Sequence, residues 1–217
     1  MPFRVVCISR TLAAGGEAIG QAVAQRLDFR YVDEQIIQWA ADQAQVDPVL
    51  VAATEHRQPL MKRLLDKLPR ASELAGMVTL GTGVPAAAFV TRPTPSHADS
   101  NDLRVLIRAA IHEVASAGSA VIVAHAASMA LGSTDAVLRV LVTASHATRV
   151  QRLAEAEHIA ESEAQHRIAT SDRERREYFK RFYSIDDELP THYDLVINTD
   201  VLAPADASAL VAATIGR

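Results

Sequence analysis

Cysteine is almost missing from this chain: Cys7 is the single one among 217 residues. A disulfide within the chain is therefore excluded. A thiol set inside the apolar run "RVVCIS" is expected to be a small buried hydrophobe rather than a nucleophile. Aromatic residues make up only 5% of the chain, so alanine, valine and leucine must fill most of the interior. Net positive charge is also missing. The 22 Lys and Arg are outnumbered by 26 Asp and Glu, for a formal charge of -4, and no global field draws the protein to nucleic acid. No apolar run is long enough to span a bilayer, and "MPFRVVCISR" is too short in apolar residues to act as a signal peptide. The expectation is a cytoplasmic protein with neither a membrane nor a nucleic-acid partner; a homodimer is allowed.

What is present is a balance of 49% apolar and 22% charged residues, that of a globular protein with a real core. The length suits a single domain over residues 1–217. β-branched runs bounded by polar residues predict strands at residues 5–9, 29–32, 120–124, 138–143 and 195–198. Helical spacing marks residues 15–27, 36–44, 60–68, 103–117, 148–157, 161–170, 172–183 and 205–215, and Asp47-Pro48 is a cap-and-proline pair that opens a further helix. Residues 71–99, rich in Gly, Pro, Ser and Thr, read as a mobile insert or long loop. Strands that alternate with helices and read as continuous apolar runs favour a five-stranded parallel sheet with helices on both faces, an α/β architecture of three α/β/α layers. Ligands bind such sheets beyond the carboxyl ends of the strands. That edge should hold Ser9, Arg10, Asp33, Ala124, His125, Thr143, Ala144, Asn198 and Thr199.

The first strand runs into "ISRTLAAGGEAIG", residues 8–20. A strand, a glycine turn and a helix N-terminus gather backbone N–H groups and a partial positive charge, which is an anion site needing no side chain. Gly15-Gly16 allows close approach of the backbone. The standard phosphate loop G-x-x-x-x-G-K-[ST] adds a lysine for the β/γ-phosphates and a hydroxyl for Mg²⁺. Counted back from Ile19-Gly20, those positions fall on Gly16 and Ala18, so both side chains are absent. Alone, the pattern also fits a structural turn.

Further along, Arg149 and Arg152 lie three apart on one helix face just after a strand end, and Arg167, Arg173, Arg175 and Arg176 follow. Arginine suits phosphoryl chemistry because it forks onto two oxygens and keeps its charge. The same residues also fit a solvated helix laced with ion pairs, since Glu163, Glu174 and Glu177 sit among them.

Taken together, "ISRTLAAGGEAIG", "FRYVDEQII", "VIVAHAA", "LRVLVTASHATRVQRL", "RIATSDRERREYF" and "YDLVINT" resemble, in order and spacing, the cytidylate kinase-like family, a branch of the P-loop nucleoside monophosphate kinases. The likeness runs from about residue 4 to residue 215 and is weakest over residues 71–99. It implies a P-loop NTPase-like fold, with residues 145–185 as a helical lid. It implies ATP on the loop, carried by Ser9, Arg10, Gly15, Gly16, Glu17, Ala18 and Ile19, with Mg²⁺ held by phosphate oxygens and water and no metal ligand from the protein. Ser9, Arg10, Gly15, Gly16, Ile19 and Gly20 match the family pattern S-R-x-x-G-S-G-G-R-x-I-G, whereas Ala13 and Glu17 depart from it; Glu17 puts a carboxylate where a cation is usual. The lid motif D-x-x-R falls on Asp172 and Arg175, implying that Arg175 meets the transferring phosphoryl group, that Asp172 orients it, and that Arg149 and Arg152 offset charge. Asp33 would lie near the acceptor or a Mg²⁺-bound water; as a residue type it equally caps the next helix. His125 stands where the family has the arginine of G-R-G, and it would grip an acceptor phosphate less firmly. Two functions follow: transfer of the γ-phosphoryl group of ATP to a nucleoside monophosphate or related acceptor, or nucleotide or anion binding without catalysis on the same fold.

Overall fold

The computed structural model describes residues 3–33, 100–124 and 126–215. The expected helices within residues 36–68, the segment 71–99 and His125 lie outside the described residues.

Strand β1 (Val5–Arg10) leads into helix α1 (Gly16–Leu27) and strand β2 (Arg30–Asp33). After these come α2 (Ser100–Ala117), β3 (Ala120–Val123), the short α3 (Ala127–Leu131) and β4 (Val137–Thr143). The helices α4 (His146–Glu157) and α5 (Glu161–Tyr183) follow, then a 3₁₀ turn (Pro190–His192), β5 (Leu195–Asn198) and α6 (Pro204–Ile215). The strands form one sheet in the order β2-β3-β1-β4-β5. Every pairing is parallel.

The apolar run of β1 has a direct cause in this sheet. Successive side chains point to opposite faces, and both faces are covered. Val6 and Ile8 pack with Ile19 and Val23 of α1 and Val211 and Ile215 of α6. Val5 and Cys7 pack on the other side with Ile111 and Val114 of α2 and Ala127 of α3. The expected three layers are therefore present, with β1 at the centre. Gly20 marks how close α1 lies: a Cβ there would come within 2.5 Å of Val123 Cγ2. A separate apolar cluster of Val150, Leu153, Ala164 and Ile168 holds α4 against α5, and Ala13 of the loop packs on it.

Two elements differ from expectation. Residues 161–183 form one helix where a break was expected at Ser171; the stretch holds neither glycine nor proline to end a helix there. The α3 turn was not foreseen; at five residues it carries no periodicity to read.

Candidate functional site

The carboxyl ends of the strands gather the loop, the lid helices and the last turn of the chain into one cluster. β1 ends at Arg10, and the backbone turns back at once, with Thr11 N–H donating to Val142 O at 3.2 Å and Ala14 N–H to Thr11 O at 3.1 Å. Gly15, left-handed at φ 81, caps α1, and no side chain caps that helix. The first N–H groups of α1 thus lack a side-chain acceptor, the arrangement that suits an anion. Ala13 is also left-handed, at φ 62. The loop keeps a backbone that favours glycine although the residue is alanine, which costs about 1–2 kcal/mol.

Since α1 begins at Gly16, the consecutive lysine and hydroxyl positions of the standard loop fall on Gly16 and Glu17, not on Gly16 and Ala18. The Arg10 guanidinium is ion-paired with Glu17, whose carboxylate is half exposed. Ala18 is exposed, and Ile19 is buried in the core.

Arg175 is a buried cation, at 8% exposure. Its Nε donates to Glu188 Oε2 at 2.7 Å and its Nη2 to Glu188 Oε1 at 2.6 Å. Nη2 also donates to Ser9 Oγ at 2.9 Å and Nη1 to Arg10 O at 2.8 Å. The guanidinium lies 4.9 Å from the centre of the Phe179 ring, within cation–π range. The Tyr193 hydroxyl donates to Glu188 and is hydrogen-bonded with Ser9 Oγ at 3.2 Å. Burial, reinforced by the Glu188 charge, pushes the Tyr193 phenol pKa upward, so it remains a donor. Arg175 is thus a tie between α5 and the start of the loop, and the reading of it as an exposed ion-pair residue is excluded.

The Asp172 carboxylate meets Arg149 rather than Arg175. Its two carboxylate oxygens accept from Arg149 Nη1 and Nη2 at 2.9 and 2.8 Å, joining α4 to α5. Arg175 turns instead toward the sheet edge, where Glu188 meets it. Arg152 takes a third direction, donating to Thr199 Oγ1 at 2.9 Å and Thr199 O at 2.6 Å. Thr199 Oγ1 lies 2.9 Å from Ala14 O, linking Arg152 to the loop. Arg149 and Arg152 therefore share a helix but not a target. Arg167 pairs with Glu157 on the surface, while Arg173 and Arg176 are exposed.

Asp33 ends β2 beside Tyr31. Burial, then the negative charges of Asp33 and Glu17, push the Tyr31 phenol up to about 12. Asp33, Glu17 and Arg10 all act on this one phenol, so the β2 end and the loop share a rim.

Sequence reasoning missed Glu188 as a functional residue, and it missed the polar roles of Tyr193 and Thr199. The one available signal was the acidic run Asp186–Glu188 directly after an arginine-rich helix.

A family model described as the cytidylate kinase-like family matches residues 5–201. A cytidylate kinase of Sulfolobus acidocaldarius is 41% identical over 69 residues, which is 32% of this chain and 38% of that protein. The matched part thus spans well under half the length of that relative. Among solved structures, an uncharacterized protein of Eubacterium ventriosum superposes with a TM-score of 0.66 at 14% identity, covering 98% of both chains. Shikimate kinase of Bacteroides thetaiotaomicron does so with a TM-score of 0.50 at 14% identity and the same coverage. These two likenesses concern the fold.

Proposed function

The chain belongs to the cytidylate kinase-like family, and from that premise we propose that it is an ATP-dependent phosphotransferase that moves the γ-phosphoryl group to a nucleoside monophosphate or a related phosphate acceptor. The observation that carries this reading is the loop. Gly15 is left-handed, a Cβ there would meet nothing within 4 Å, and α1 opens behind it without a side-chain cap. That is open space beside Gly15 at the start of a helix with no side-chain cap, and triphosphate oxygens fit it.

ATP, when bound, supplies the electrophilic phosphorus, and Mg²⁺ arrives on its oxygens and water. The acceptor's own phosphate oxygen attacks, so no protein nucleophile is required. The protein's part is placement and charge. Ser9, Arg10, Gly15, Gly16, Glu17, Ala18 and Ile19 form the nucleotide loop. Arg175 and Tyr193 hold its first residues in place, and Arg152 through Thr199 holds Ala14. Arg149, paired with Asp172, keeps the two lid helices together. Asp33 borders the acceptor side, and residues 145–185 act as the lid of a single domain.

One observation favours a second reading, nucleotide or anion binding without catalysis: Arg10, Arg149 and Arg175 are each engaged by a carboxylate. The test is a thermal-shift panel of nucleotides with and without Mg²⁺, followed by phosphotransfer assays on whatever binds. A ligand at a hundred times its dissociation constant adds about 2.7 kcal/mol of stability. Turnover with one monophosphate supports the kinase, and binding without turnover on any monophosphate supports the second reading.

A further inference from the structure

The standard loop G-x-x-x-x-G-K-[ST] can be laid on this chain with no freedom of register, because Gly15 caps α1 and Gly16 is its first residue. The motif's first glycine then falls on Arg10 and its lysine on Gly16. A cation stands where the motif has glycine, and glycine stands where the motif has a cation. The structure shows how the two positions depend on each other. A Cβ on Gly16 would lie 2.6 Å from Arg10 Cβ, 2.9 Å from Cδ and 3.3 Å from Cγ. The first contact cannot be relieved by a rotamer change, since the Arg10 Cβ is fixed by the backbone of β1. A side chain at residue 16 and any side chain at residue 10 therefore exclude each other.

We propose that Arg10 replaces the missing lysine: its guanidinium, delivered from the end of β1 across the face of Gly16, is the cation that grips the nucleotide phosphates. Glu17 holds it there until a phosphate arrives. The Glu17 carboxylate sits in the first turn of α1, where the helix N-terminus favours negative charge. It thus stands in the same field that a phosphate would enter. Its side chain is 51% exposed and the Arg10 side chain 17%, so Glu17 can swing into water at small cost while Arg10 stays seated. This inference rests on the nucleotide-loop reading, and its test separates the two.

The experiment is calorimetric titration of MgATP, and separately of inorganic pyrophosphate, into the full-length protein and its variants, each first shown to melt cooperatively. Arg10→Ala is expected to weaken both ligands at least about tenfold, the loss of a charge-assisted contact. Arg10→Lys, which keeps the charge, should recover part of that loss. Glu17→Gln removes the competing carboxylate and should tighten both ligands severalfold. Gly16→Lys alone should lower the melting temperature, whereas Gly16→Lys combined with Arg10→Gly should melt near wild type and bind MgATP far better than Arg10→Ala.

If wild type binds MgATP and Arg10→Ala binds it equally well, this proposal is overturned and the nucleotide loop stands. Weaker binding by Glu17→Gln overturns the holding role of Glu17. If wild type binds pyrophosphate in an Arg10-dependent way but no nucleotide, Arg10 keeps its role and the kinase reading falls. If wild type binds neither ligand, both are overturned.

Discussion

Replacing Arg175 with methionine keeps an unbranched apolar stem and removes the charge and donors. Four hydrogen bonds are lost: two to Glu188 at 2.6 and 2.7 Å, one to Ser9 Oγ at 2.9 Å and one to Arg10 O at 2.8 Å. Removing one partner of a buried ion pair costs about 3–5 kcal/mol, because the other charge is left uncompensated. The Glu188 side chain is 17% exposed, and water can reach the orphaned carboxylate; the lower end, about 3 kcal/mol, is therefore expected. In a domain of this size 1 kcal/mol moves the melting temperature by about 2–4 °C, so the fall should be roughly 6–12 °C. Circular-dichroism melts read it directly. A double-mutant cycle with Glu188→Gln should return a coupling of about 2 kcal/mol, within the range for residues in one network. Arg167→Ala is the control: that pair is exposed at 39% and 42%, and its loss should leave the melting temperature almost unchanged. A fall of under about 2 °C for Arg175→Met, equal to the control, would refute the assignment of Arg175 as the buried tie of the loop.

Burial pushes the Cys7 thiol up to about 12, so it should be silent to a thiol-selective chromogenic reagent at pH 8 in native protein and react fully in denaturant. Both Cys7 and Tyr31 keep protons in the folded state that the unfolded chain loses above their ordinary values of 9.0 and 10.0. Their contribution to stability is therefore complete below pH 9 and lost as pH climbs toward 12, with a slope of up to about 1.4 kcal/mol per unit for one fully differential proton; denaturant midpoints that stay flat over that window would contradict it. Gly20→Ala gains about 1 kcal/mol of helix propensity. It also drives a Cβ to 2.5 Å from Val123 Cγ2, and overpacking of about 1–3 kcal/mol should win. The melting temperature should fall and recover in part when Val123→Ala is added. Thr199→Val strips the hydroxyl from Ala14 O and from Arg152, which should cost about 1–3 kcal/mol in a urea titration.

The sheet was legible because its cause is local. In β1 every residue from Val5 to Ile8 is buried, since the strand is covered on both faces. A run of that kind can be read without knowing what covers it. The uncapped opening of α1 was legible for the same reason: Gly15-Gly16 speaks for its own backbone. The ties of the site are of another kind. Arg175 and Ser9 are 166 positions apart, and Thr199 and Ala14 are 185 apart. No periodicity links such residues, and Asp172, three residues before Arg175, was the nearer and therefore the misleading partner. Geometry decides between Asp172 and Glu188. Arg175 faces the buried sheet edge, and a carboxylate on the same helix can follow it there only by leaving α4. Glu188, beyond the end of α5, comes back over the strand ends and meets both Arg175 and Tyr193. The loop lies between these extremes. That lysine is absent from residue 16 is plain in the letters, and so is the arginine at residue 10. That the two are linked appears only in three dimensions, where Arg10 occupies the place a Cβ of residue 16 would take. An absence in a motif is therefore weak ground for a lost activity until the space the missing side chain would fill has been inspected. Here that space is filled by the side-chain stem of Arg10.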